Sequence, residues 1–186
     1  MFYFFNLIFA QNFNGNAISY ADKQSILLYH NIARAQVGSP AIVWDTGMEQ
    51  SAVSCLQQHQ PTSMQHGLCS SIGTLNGAGE NLSVGVSGVQ GVLGFIGEKC
   101  SSPNTAAYTA AYSFSSAEGH WTQAVWRGTQ RMSCAQTSPT GVMFCHYLPA
   151  GNTMGVSAYP MVPSNSDCTG GTLDQQAFTQ QPHASK

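Results

Sequence analysis

Six cysteines, Cys55, Cys69, Cys100, Cys134, Cys145 and Cys168, constrain this chain more than any other feature. Their number is even and none forms a Cys-x-x-Cys pair, so neither a zinc ribbon nor a thioredoxin-type redox motif is present. Three disulfides in an oxidising compartment are the simplest account. Each bridge adds about 2–4 kcal/mol by restricting the unfolded chain. At 186 residues the chain has the length of one domain with its own core. Residues 1–10 are almost wholly apolar and end at Ala10-Gln11, which reads as a signal-like segment of a secreted, extracellular protein. A polar linker over 11–18, a domain over 19–162 and a tail over 163–186 follow. No later stretch approaches the ~20 apolar residues that span a bilayer, so no transmembrane segment is expected.

Charged residues are only 8% of the chain, against roughly 25% in ordinary domains. With a formal net charge of −2 there is no electrostatic footprint for nucleic acid or for an anionic membrane. Each His and Glu is therefore informative.

Periodicity predicts helices first and strands later. Ser19 and Asp22 resemble a capping box, with Ile26, Tyr29, Ala33 and Val37 on one face and Gly38-Ser39-Pro40 as the stop. Thr46 and Glu49 form a second box, followed by the stripe Met48, Ala52, Cys55 and Leu56. Residues 60–79 read as a loop. Val89, Val92, Leu93 and Ile96 predict a third helix, although Gly88, Gly91, Gly94 and Gly97 each weaken it by up to ~1 kcal/mol. Residues 101–116 read as another loop. Strand-like runs follow at 121–126, 132–136, 142–147 and 154–159. A hairpin at 137–141 would bring Cys134 and Cys145 close enough to pair. Beyond 163 the chain reads as a mobile tail tethered at Cys168. The whole predicts a disulfide-stapled α+β fold, with helices over an antiparallel sheet.

Familiar catalytic signatures are absent: there is no Gly-x-Ser-x-Gly elbow, no His-Glu-x-x-His helix and no P-loop. Residues 77–82 start like a dinucleotide loop but lack its last glycine. His66, Glu80, Glu98 and His120 stand beside Gly-rich turns or at element ends, where side chains can converge on a cleft. Two imidazoles and two carboxylates suit zinc or another divalent metal, with positions left for water or ligand. The same quartet also suits general acid–base work, or a buried network whose members satisfy one another. His30, with Asn31 and Arg34, reads as a structural hydrogen-bonding cluster. His59 reads as the solvent-side end of the second helix, His146 can face either way, and His183 lies in the tail. Asn81-Leu82-Ser83 is a glycosylation sequon, expected to be too buried to modify if Asn81 sits in the turn that aims Glu80.

At these residues the sequence resembles the CAP superfamily, the cysteine-rich secretory proteins, antigen 5 and pathogenesis-related class 1 proteins. Four motifs in order carry the likeness: His30-Asn31-Ile32-Ala33-Arg34, Gly79-Glu80-Asn81-Leu82, Gly119-His120-Trp121-Thr122-Gln123-Ala124-Val125-Trp126, and the run from Phe144 to Asn152. The resemblance implies a three-layer α-β-α sandwich around a three-stranded antiparallel sheet, single-domain and secreted. It implies a cleft tetrad in which Glu80 and His120 carry over from their motifs, and Glu98 ends the helix before the long loop, with Phe95 where a tryptophan is usual. His66 fits the remaining position at the longer spacing from Trp44, with His59 as the rival. Cys134–Cys145 matches a family disulfide, while the partners of Cys55, Cys69, Cys100 and Cys168 stay open. Thr153 and the order Tyr159-Pro160 depart from the family pattern, the latter arguing against release of a signalling peptide.

Three functions follow as expectations. The first is a module holding a sterol or other small lipid in an apolar groove between helices, the Gly-rich stretch 83–97 forming a flexible lip and the tetrad shaping or metallating the cleft. The second is a zinc-dependent hydrolase, with His66 and His120 on the metal and Glu80 or Glu98 as base. The third is a defence- or effector-type protein acting on an extracellular protein partner through its surface.

Overall fold

The computed structural model describes residues 18–101 and 114–181. The signal-like residues 1–10, the linker up to 17, most of the 101–116 loop and His183 lie outside the described residues.

Helix α1 (Tyr20–Gln36) is capped by Ser19, whose Oγ accepts from the Asp22 N–H at 3.1 Å. Asp22, one methylene shorter than Glu, receives the Ser19 hydroxyl at 2.8 Å and makes no bond to its backbone N–H. The helix ends in a Schellman turn: Gly38, at φ +70°, donates to Ala35 O, and Ser39 donates to Arg34 O. Strand β1 (Val43–Trp44) leads directly into α2 (Thr46–His59). The true N-cap of α2 is Asp45, accepting from Gly47 and Met48 N–H, one residue before the expected box. Glu49 instead accepts from the Trp44 indole at 2.8 Å and pairs with Lys23. The indole needs an acceptor when packed, and Glu49 supplies it.

Strand β2 (Gly79–Ser83), α3 (Gly88–Ser101), α4 (Gly119–Ala124), β3 (Arg131–Gln136) and β4 (Met143–Leu148) complete the central unit. The sheet order is β1-β3-β4-β2. Its three longer strands are antiparallel, as expected, and the two-residue β1 adds a parallel edge, Trp44 pairing with Met132. The sheet is thus mixed. Alternation sends Met132, Cys134, Cys145 and Tyr147 into a core shared with α1, α3 and α4. Ala135, Phe144 and Leu82 point the other way, against Met48, Ala52 and Leu56 of α2. Three layers result: α1, α3 and α4, then the sheet, then α2. Among the described residues no helix is long and apolar enough to cross a membrane.

The run 121–126, read as a strand, forms α4 and its C-terminal turn. Trp121 and Val125, both buried, sit one helical turn apart, and the Thr122 hydroxyl donates back to Glu118 O, so core packing overrides β propensity. The run 154–159 is not a strand either. Its backbone serves the loop after α4, through Arg127 N–H to Ala158 O, and no sheet edge. Nor are residues 83–97 the flexible lip expected: Gly88 onward is α3, and a Cβ on Gly91 would lie 2.3 Å from Ser83 Oγ. That glycine lets the helix sit close on the sheet.

All six cysteines pair, as Cys55–Cys69, Cys100–Cys168 and Cys134–Cys145. The last joins directly opposed residues of the β3–β4 hairpin. The tail is packed through Gln181, unlike the mobile segment expected. A Gly170-Gly171 turn joins β5 (Cys168–Thr169) to β6 (Thr172–Leu173), both glycines at positive φ as in the type I′ turn of a two-residue hairpin. Asp174 then caps α5 (Gln175–Thr179), which buries Phe178 completely against Tyr29 of α1. Beside it the fully buried Lys99 Nζ meets Asp167 at 2.7 and 2.9 Å and Gln36 at 2.7 Å. Burial lowers the Lys99 pKa while Asp167 pulls it back up.

Candidate functional site: a His/Glu cleft at the sheet edge

Residues from both helical layers reach round edge strand β2 into one cleft of about 200 Å³, among them His66, Glu80, Asn81, Phe114, His120 and Asn152. His66 lies in the loop after α2, which the Cys55–Cys69 bridge pins to the helix. Gly67, at φ +78°, turns its N–H onto Glu80 Oε2 at 2.7 Å. The His66 ring faces the same oxygen, Nδ1 at 3.4 Å, with most of the imidazole in solvent. His59 ends α2 exposed to solvent and is not among the cleft residues. Of the two histidines that the resemblance left in play, His66 lines the cleft and His59 does not.

Glu80 is held on both oxygens. Oε1 accepts from Nε2 of His146, a fully buried ring on β4 directly across from it in the register. Burial would raise the Glu80 pKa, but the bonds from His146, Gly67 and His66 outweigh it and hold the carboxyl below its usual range. Glu80 is a carboxylate at neutral pH.

His120 stands at the start of α4. Its Nδ1 meets Glu98 Oε1 at 2.6 Å, while Glu98 Oε2 accepts the backbone N–H groups of His120 and Trp121 at 2.9 and 3.0 Å. Glu98 stands behind His120 and does not line the cleft itself. Phe95 supports the imidazole, ring centroids 4.8 Å apart. Asn152, left-handed at φ 56°, accepts from Thr122 and donates to Gly119 O, fixing the far wall to α4.

Behind the cleft runs a buried chain. Asn81 Nδ2 donates to His120 O at 2.9 Å and lies 3.3 Å from the Tyr147 hydroxyl. Tyr147 donates to His30 Nε2, and His30 Nδ1–H donates to Ile26 O, each at 2.8 Å. Burial is the main cause that drops the His30 pKa to about 4, so the ring is neutral. Arg34 spends its guanidinium on four carbonyls, of Pro40, Ala124, Trp126 and Thr129. Burial lowers its pKa to about 10, which leaves it charged at neutral pH. His30 and Arg34 are structural, as read from the sequence. Asn81 is 1% exposed, so its sequon is closed to modification as folded.

Three of the four predicted side chains thus line one cleft and the fourth grips the third. His146 is the residue whose direction the sequence left undecided. Its signal was the strand register: a period of two puts it on the face of Phe144, and cross-strand pairing puts it beside Glu80.

The arrangement can be stated chemically. Each cleft imidazole turns Nδ1 toward a glutamate: His120 in a 2.6 Å hydrogen bond, which favours its Nδ1–H tautomer and leaves Nε2 as the lone-pair nitrogen, and the more exposed His66 in a looser 3.4 Å contact that biases it the same way. Metal-binding histidines are oriented by carboxylates in this way. Among the described residues, no three His, Cys, Asp or Glu side chains form a ready cage for a metal. An ion here would have two protein ligands and complete its shell from solvent or a bound molecule.

With this fold and cleft, residues 27–147 match the model of the cysteine-rich secretory protein family, and the chain belongs to that family, CAP. It is 31% identical over 147 residues to pathogenesis-related protein 1B of Nicotiana tabacum, covering 74% of this chain and 80% of that one. It is 33% identical over 138 residues to secreted protein RBT4 of Candida albicans, covering 71% of this chain but only 36% of that longer protein. The crystal structure of NaASP2 with Zn2+ superposes with a TM-score of 0.63 at 21% identity, covering 89% of this chain and 96% of that one. The structure of venom allergen-like protein 4 of Schistosoma mansoni gives a TM-score of 0.58 at 16% identity, covering 81% of this chain and all of that one. These structures share the fold.

Proposed function

We propose that this protein is a secreted extracellular binding module whose cleft holds a divalent transition metal on His66 and His120, each oriented by its glutamate. The observation that carries the reading is the pairing of both cleft imidazoles with a carboxylate on the same ring nitrogen. The zinc in the NaASP2 structure supports the choice of metal. Structural zinc sites use four protein ligands and catalytic ones usually three; two imply weak, exchangeable binding that leaves room for a small ligand or a partner's side chain. The cleft's volume falls below the roughly 300–1,000 Å³ of drug-sized pockets, so it suits an ion and a small polar group. Glu80 and Glu98 have both oxygens engaged, which supports an orienting role over that of general base and ranks the hydrolase reading lower. Isothermal titration with zinc tests the proposal. Saturable one-to-one binding, lost in His66→Ala and His120→Ala with the fold intact, is expected; no saturable binding by the native protein refutes it.

Lipid binding is a second reading, favoured by a groove of about 320 Å³ between α3 and the β5–β6 hairpin, with Leu93 and Leu173 beside Gly94 and Gly97. The seam between α1 and α3, by contrast, is filled by Phe178. A labelled sterol or fatty acid that binds saturably, and is displaced when Gly97→Leu fills the groove, would support this reading. Binding unaffected by that change would remove the groove from it.

A further inference from the structure

The two glutamates that orient the cleft imidazoles are anchored differently. Glu98 receives two backbone N–H groups on Oε2, from the first turn of α4, so its position is fixed by the helix itself. Glu80 receives one backbone N–H, from Gly67 in a loop. Its second anchor is the His146 side chain.

His146 is built for that task. It is fully buried on the middle strand β4, opposite Glu80 on one side and Ser133 on the other. Phe144 lies on the same face two residues earlier, its ring 12° from parallel with the imidazole at 6.2 Å. Because Glu80 is ionised and acceptor-only, the ring must present Nε2–H to it. Nδ1 has no protein partner, and neither has Ser133 Oγ at the neighbouring register position. A phenylalanine here could stack on Phe144 as the imidazole does, but it would leave Glu80 Oε1 without a donor, so packing alone does not explain the imidazole.

We propose that His146 is a positioning residue of the metal cleft: it fixes the Glu80 carboxylate from beneath, so that His66 is held with Nε2 free for the ion. It does not ligate the ion, since its Nε2 is committed to Glu80 and its ring is closed off from solvent. The inference rests on the metal reading of the cleft, and its effect on His66 exists without metal.

The test uses the full folded chain and two readouts. The first is zinc affinity by isothermal titration. His146→Phe is expected to weaken it 10–100-fold, the usual effect of removing an outer partner of a ligand, and His146→Gln, which keeps an N–H donor at similar reach, to recover most of the loss. The second is the tautomer of His66 in long-range 1H–15N spectra of the metal-free protein. The Nδ1–H form is expected to dominate in the native protein and to give way to a mixture in His146→Phe, with His120 unchanged. Should His146→Phe fail to fold, His146→Asn, polar but too short to reach Glu80, replaces it. Native zinc affinity together with an unchanged His66 tautomer in a folded variant overturns the inference. Failure of the native protein to bind zinc overturns the metal reading alone, and the tautomer measurement still decides the role of His146.

Discussion

Acidification should destabilise this protein well above the carboxylate range, because of the buried imidazole of His30. His30 is neutral in the fold, its pKa dropped to about 4 chiefly by burial, whereas its ordinary value is 6.5. Between those values the unfolded chain binds a proton that the folded chain refuses, so stability rises with pH across the window. The contribution is complete above pH 6.5, is lost as pH falls toward 4, and changes no further below. A depression of that size is worth about 3 kcal/mol, at 1.36 kcal/mol per pKa unit. For a chain of this length it corresponds to a melting temperature lower by about 6–12 °C. Urea unfolding of the disulfide-intact protein at pH 7, 5.5 and 4, for the native chain and for His30→Gln, measures the effect. Subtracting the two curves isolates His30 from the carboxylates, including Glu80, whose depressed pKa acts in the same direction but below about pH 4.5. The difference should shrink by about 3 kcal/mol from pH 7 to 4. Parallel curves would refute the claim that His30 is held neutral by burial.

Three further outcomes follow. Asp167→Ala leaves the Lys99 ammonium buried without its carboxylate and should cost about 3–5 kcal/mol in urea unfolding; a loss below 1 kcal/mol would mean that the pair is solvated. Phe178→Ala opens a cavity at the α1–α3 seam and should cost about 3–5 kcal/mol, which a tail that contributes nothing to the fold would not show. Expressed through a eukaryotic secretory pathway, the protein should show no glycan on Asn81 by peptide mass spectrometry, since that side chain is 1% exposed and spent on His120 O and Tyr147; substantial occupancy would contradict the packing of β2.

What the sequence disclosed was what local chemistry decides. The stripe Met48, Ala52, Cys55 and Leu56 is fully buried as its period implied. Cys134 and Cys145 oppose each other because a short hairpin must place them so. Glu80, His120 and His66 came instead from the resemblance: the first two from family motifs, the third from the family's longer spacing after Trp44. The errors lie where tertiary contacts outvote local preference. Residues 121–126 carry strand-forming side chains but are held helical by the buried Trp121 and Val125. The α2 cap moved to Asp45 because the Trp44 indole claims Glu49. The C-terminal segment read as mobile apart from its tether at Cys168, although Gly170-Gly171 and Asp174 are hairpin and cap residues; only the receiving surface, Tyr29 and Lys99, shows why Phe178 is buried. His146 needed the register of β2 with β4, which no single strand encodes.

Two histidines from opposite sides of the sheet sharing one ion is the idea on which the functional account stands. Long-range 1H–15N spectra of the uniformly labelled protein, titrated with zinc, report on each ring nitrogen separately. The Nε2 resonances of His66 and His120 should move together to a common end point at one equivalent of zinc, while both Nδ1 nitrogens stay protonated toward Glu80 and Glu98. Movement of only one ring, or metallation at Nδ1, would contradict it.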